Sequence, residues 1–154
     1  MYLSSWIWGL KLYSQQEADT MKADIIRPEV TEIGVAVIKE RNEEGVEVWN
    51  SYLLNLKDHR IEGVLVSSKG YGKINGDQRE TSMLRHFLDE MAGKTFKKIE
   101  PITEEVFGLF NEYWVSFYDG GKMYDKKYIF VPEAISEQNF TEIPLIGLRG
   151  VLIV

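Results

Sequence analysis

The sequence predicts a mainly β protein, an antiparallel β-sandwich or a partly closed barrel carrying one or two short helices. Three observations predict it. Short runs of apolar, β-branched and aromatic residues recur along the chain, separated by polar or glycine turns. Aromatics make up 12% and apolar residues 44% of the chain, with only four prolines, which is the composition of a packed, strand-rich globule and not of a disordered segment. At 154 residues the chain fits one domain, whose strands must cover their apolar faces by stacking or closing sheets.

The elements follow in order. Residues 1–20 open with Trp6-Ile7-Trp8-Gly9-Leu10. No basic segment precedes this cluster, Lys11 interrupts it and no cleavage site follows, so it is not read as a signal peptide. It also falls far short of the ~20 apolar residues of a membrane span. Met21 begins MKADIIRPEV, which reads as an ordinary protein start, so 1–20 is expected to be an appendage and 21–154 a single β domain. Were the appendage native, Trp6 and Trp8 would form a docking peptide.

Thr31 to Glu40 is an apolar strand, and Asn42 to Gly45 a turn. Val46 to Ser67 reads as two strands around Lys57-Asp58-His59-Arg60, the hairpin on which the rest is expected to pack, so that three successive strands form a meander. In the first of them Val46, Val48, Tyr52, Leu54 and Leu56 make an apolar face, opposite a mixed one of Glu47, Trp49, Ser51, Leu53 and Asn55. Residues 67–77 hold Gly70, Gly72 and Gly76 and are expected to be a loop. In 81–91, Leu84, Phe87, Leu88 and Met91 recur at helical spacing. Thr95 to Ile99 alternates as a polar strand, and Val106 to Phe110 is the next apolar run. Tyr113 to Tyr118 and Lys122 to Val131 form a second hairpin around Gly120-Gly121, stopped by Pro132. Ser136 to Phe140 makes one helical turn, and Gly150 to Val154 a last strand.

Charge and composition exclude several functions. With 24 acidic and 18 basic residues the net charge is -6, which disfavours binding to phosphate backbones, so no nucleic-acid partner is expected. Without cysteine there is no disulfide framework and no thiolate metal site, which permits the reducing cytoplasm expected for this chain.

Few residues invite chemistry. The glycine-rich stretch matches no P-loop pattern, although Tyr71 and Lys73, with Arg79, Arg85 and His86, are the candidate ligand-binding residues. His59 and His86 are the only histidines, with Asp58, or Asp77 and Glu80, as sequence neighbours; their spacing fits no metal motif, and the simpler reading of both is a solvated surface residue. Ser67 and Ser68 lie in no nucleophile elbow. No metal, cofactor or catalytic residue is expected. Trp114 and Tyr118 share one strand face, as do Tyr124, Tyr128 and Phe130, so an exposed aromatic strip would suit a partner, while an inward one would be core.

The runs WNSYLLN (49–55), IEGVLVSSKGYG (61–72), TSMLRHF (81–87), ITEEVFGLFNEYWVSFY (102–118), DKKYIFV (125–131) and GVL (150–152) resemble a family of short, uncharacterised bacterial proteins of the Bacteroidetes lineage. Some of its members carry a label referring to phenylalanyl-tRNA synthetase subunits, but no synthetase motif is present in this chain. The resemblance implies that 1–20 lies outside the common unit and that 81–88 is a strand, and it carries over no activity. The expected function is a non-enzymatic binding or protein-interaction module, with a homo-oligomer or a protein partner and no membrane. The alternative is a small enzyme or ligand-binding protein using 67–77.

Overall fold

The computed structural model describes residues 28–154, so the expected appendage at 1–20, with Trp6 and Trp8, lies outside the described residues. Ten strands follow: β1 (Ile33–Arg41), β2 (Glu47–Asn55), β3 (Ile61–Ile74), β4 (Asp77–Glu80), β5 (Leu84–Met91), β6 (Thr95–Ile102), β7 (Phe110–Asp119), β8 (Lys122–Phe130), β9 (Thr141–Glu142) and β10 (Arg149–Ile153). They form two open antiparallel sheets. The first runs β6-β2-β1-β10-β9; the second runs β4-β3-β7-β8, with β5 also paired to β3. This is the sandwich-like arrangement, without barrel closure. The short helices are single 3-10 turns at Glu104–Val106 and Glu137–Asn139.

β1 is buried on both faces because it is central in its sheet, and its continuous run of Ile33, Val35, Ala36, Val37 and Ile38 is what such a strand needs. One face joins the main core between the sheets, with Trp49, Leu53, Val66, Phe117 and Phe130. The other meets a smaller cluster, in which Ala36, Ile38 and Leu54 lie under Ile143 of the C-terminal segment. Tyr128 ties the sheets together: its hydroxyl donates to the Ile33 carbonyl at 2.6 Å in the buried core.

The hairpin expected at 46–67 does not form. β2 and β3 belong to different sheets, and residues 56–60 carry the chain across. The cause is local: the Asn55 amide donates to the carbonyls of His59, Met91 and Ala92, while its Oδ1 accepts from the Lys57 N–H. These bonds fold 56–60 into an arch stacked on the similar β5–β6 corner, leaving β1–β2 as the only hairpin of the expected meander. The faces of β2 differ too. Its mixed set faces the main core, where Trp49 and Leu53 are buried, and Ser51 and Asn55 spend their polar groups on hydrogen bonds. Leu54 and Tyr52 face the smaller cluster.

The expected glycine loop is instead the second half of β3. Asn75-Gly76, both at positive φ, turn the chain back into β4. Residues 84–91 form a strand, as the resemblance implied and the helical spacing did not. A register shift against β3 between Val64 and Leu65, with Asp89 at φ 63°, breaks the alternation and produces the helix-like spacing. The apolar run at 106–110 is a 3-10 turn followed by the start of β7. The hairpin at 113–131, the strand at 95–99 and the final strand lie where expected, with β6 continuing to Ile102.

Candidate functional site

A single carboxylate joins the two sheets. β6 carries Glu100 in the first sheet, and a bulge between Ser51 and Tyr52 leaves Ile99 unpaired, so that both Ile99 and Glu100 turn inward. Glu100 Oε1 accepts from Ser68 Oγ on β3 at 2.7 Å and lies 2.7 Å from His86 Nε2 on β5. The Tyr113 phenol on β7 stands beside this pair and lines the same cleft. Burial first, then the charge of Glu100, push the Tyr113 pKa above its ordinary value, so the phenol stays a protonated donor. One acceptor in the first sheet therefore serves two strands of the second.

Beside this network lies a cleft of about 270 Å³. It opens where β4 has ended and β5 has not begun, so that along β3 only the 81–83 connection covers Lys69 and Gly70. Ser68, Glu100, Asn111 and Tyr113 supply its polar wall, and Leu84, Ile102 and Val106 an apolar one.

The five ligand-binding candidates do not converge. Tyr71 lies on the outer face of β3, stacked on Phe110 at 5.5 Å between ring centroids, with its hydroxyl 3.4 Å from Glu112. Lys73 is exposed opposite Gln78, and Arg79 lines a separate hollow with Glu105 and Leu109. Arg85 and His86 are neighbours on a strand and so point to opposite faces, Arg85 outward and His86 into the Glu100 network. His86 is thus no solvated surface residue, and its carboxylate partner is Glu100 and not Asp77 or Glu80. The 67–77 backbone offers no phosphate cradle, because it is bonded in the sheet and the Gly70 N–H donates to Thr81 Oγ1. Among the described residues no three His, Asp or Glu side chains gather to hold a metal ion.

The aromatic hairpin divides. Tyr128 is core, and Tyr124 stacks on buried Phe117 at 5.5 Å. Trp114 and Tyr118 face outward at 40% and 46% exposure, on the outer side of the second sheet. The register sets Lys127 beside Trp114, with its ammonium 4.7 Å from the ring centroid. Phe87, Met83 and Met123 extend this face, and Arg85 meets Trp114 and Lys69 in a hollow of about 190 Å³.

A third cluster closes the end of the sandwich. His59 Nε2 lies 3.0 Å from Asp119 and Nδ1 lies 3.1 Å from Asp58, while Lys57 Nζ stands 3.6 Å from Asp119. Bonding to Asp119, then to Asp58, raises the His59 pKa above its ordinary 6.5, and His59 lowers that of Asp58 below 3.8. The stabilisation from His59 is therefore complete below pH 6.5 and is lost as pH rises through the raised folded value; that from Asp58 is complete above 3.8 and is lost as pH falls through the lowered one. Amide exchange at Gly120 and Gly121 should accelerate as pH rises above this window by more than intrinsic chemistry requires. His59→Gln should remove that excess, and an unchanged profile in the variant would show that the imidazole does not hold this turn.

Sequence reasoning singled out His86 but missed Glu100 and Tyr113. The signal for Glu100 was the spacing of Ile99 and Ile102, both buried: three residues apart, they cannot share one face of a regular strand, so a bulge must lie between them. Among the described residues no helix is long and apolar enough to cross a membrane. No protein-family model matches the chain, and no curated protein is significantly similar to it in sequence.

Proposed function

We propose that the protein is a non-enzymatic interaction module of the cytoplasm, and that it binds a protein partner through the outer face of its second sheet. One contrast supports this reading. The outer face of the first sheet is partly covered by the chain's own Ile143 and Ile146 and leaves Phe96 40% exposed, whereas on the second sheet Phe87, Trp114, Tyr118 and Met123 stand together at 67%, 40%, 46% and 54% exposed. Aromatic side chains on a rigid strand lose little entropy on binding and dominate interface energies. Clustered on one face, they mark a contact surface more than a random scatter would.

The test places a photo-crosslinking amino acid at Ser116, central on this face, or at Lys98 on the outer face of the first sheet, in cells that make the protein. Ser116 should give a discrete protein adduct that is lost with Trp114→Glu and Tyr118→Glu, and Lys98 should not. A shift by one further chain, 17.8 kDa, would identify the partner as a second copy. Equal adducts from both positions, or none from Ser116, would refute the reading.

A further inference from the structure

The cleft beside Glu100 has acceptors that the protein leaves unused. Asn111 is 6% exposed, and its amide nitrogen is spent on the carbonyls of Val106 and Leu109. Among the described residues nothing donates to its Oδ1, although buried acceptors are seldom left without a donor. Ser68, 5% exposed, gives its proton to Glu100 and keeps its lone pairs. Glu100 takes two donors, and a carboxylate has about four lone-pair sites.

Charge points the same way. Of the charged lining residues, Glu100 turns its side chain inward, whereas Lys69 and Glu112 sit at the rim with their side chains beside Tyr71 on the outer face. Lys69 does not neutralise Glu100: its Nζ stands 5.6 Å from the Tyr71 ring centroid, and among the described residues it forms no ion pair. Gly70 is buried on this side, where a Cβ would stand 3.2 Å from Thr81 Cγ2 and 3.5 Å from Asn111 Oδ1.

From these observations we infer that the cleft binds a small primary amine with an apolar body. Its ammonium group offers three N–H donors to Glu100, Asn111 Oδ1 and Ser68 Oγ, and its body lies against Leu84, Ile102 and Val106. An anion would meet the Glu100 carboxylate, and a neutral alcohol offers one donor where an ammonium offers three. The site is distinct from the outer face, so it stands or falls apart from the interaction reading.

The test is an amide-resolved NMR titration with phenethylammonium chloride, set against phenethyl alcohol at equal ionic strength. The amine should give saturable shifts at Gly70, Asn111 and Tyr113, and the alcohol should bind at least about tenfold more weakly. Glu100→Gln keeps an acceptor oxygen and removes the charge, so it should weaken the amine about tenfold without changing the alcohol. Gly70→Ala, which intrudes on the Asn111 side of the cleft, should weaken both, and the dispersion of each variant's spectrum reports that it is folded. Equal binding of amine and alcohol, undiminished amine binding by Glu100→Gln, or no saturable shift at these amides would overturn the inference.

Discussion

Replacing Glu100 with alanine is expected to destabilise the protein by about 3–5 kcal/mol, more than any truncation of an exposed side chain. The carboxylate is 14% exposed and accepts from Ser68 and His86, each at 2.7 Å. Alanine leaves those donors behind. Ser68 is 5% exposed, so its hydroxyl cannot turn freely to solvent, and a buried donor left without an acceptor costs about 1–3 kcal/mol. The His86 pair is lost with it, and water entering from the cleft recovers part of the total, which keeps the expected value near that for breaking one buried pair. Glutamine at 100 keeps one acceptor oxygen and should cost about half as much. Urea denaturation with an unchanged slope would measure both variants. A loss under about 1 kcal/mol for alanine would mean that the carboxylate does not tie the sheets together.

The network also shows where the sequence is informative and where it is not. The hairpins β1–β2 and β7–β8 are legible because both ingredients are local, namely alternation along the strands and a turn with glycine at positive φ, Gly45 in one and Gly120-Gly121 in the other. The 56–60 connection has the same local appearance, two apolar strands around a polar turn, yet the chain changes sheets there. That choice depends on Met91, Ala92 and Gly93, more than thirty residues further on. The glycines of β3 were misleading for a related reason. Gly70 is small because Thr81 and Asn111 approach it within the sheet, and not because the chain is free there. Glu100 was invisible as a site because its partners come from two strands of the other sheet, while parity alone would have turned it outward.

If one buried amide decides between hairpin and arch, then Asn55→Asp should be more damaging than Asn55→Ala, although aspartate is nearly the same size. Asn55 is 0% exposed, and its nitrogen lies 3.0, 3.2 and 3.0 Å from the carbonyl oxygens of His59, Met91 and Ala92. Alanine removes a donor and strands three acceptors, a cost of about 2–4 kcal/mol. Aspartate sets a carboxylate oxygen against the same three carbonyls in a site closed to water, where it must either stay charged with the Lys57 N–H alone as its donor or take up a proton, and the expected loss is about 4–5 kcal/mol. Protonation restores one donor, so the aspartate variant should recover stability as pH falls, whereas the alanine variant should not. Gly93 bounds the same corner: a Cβ there would stand 2.5 Å from the Asp58 carbonyl carbon and the His59 nitrogen, both of them backbone, so Gly93→Ala must push the two arches apart. Since both substitutions loosen one contact, the double variant Asn55→Ala with Gly93→Ala should lose less than the sum of the single losses. Urea titrations of the four variants at pH 7 and pH 4 measure all of this, and an aspartate variant as stable as the alanine one would mean that the direction of these hydrogen bonds does not hold the arch.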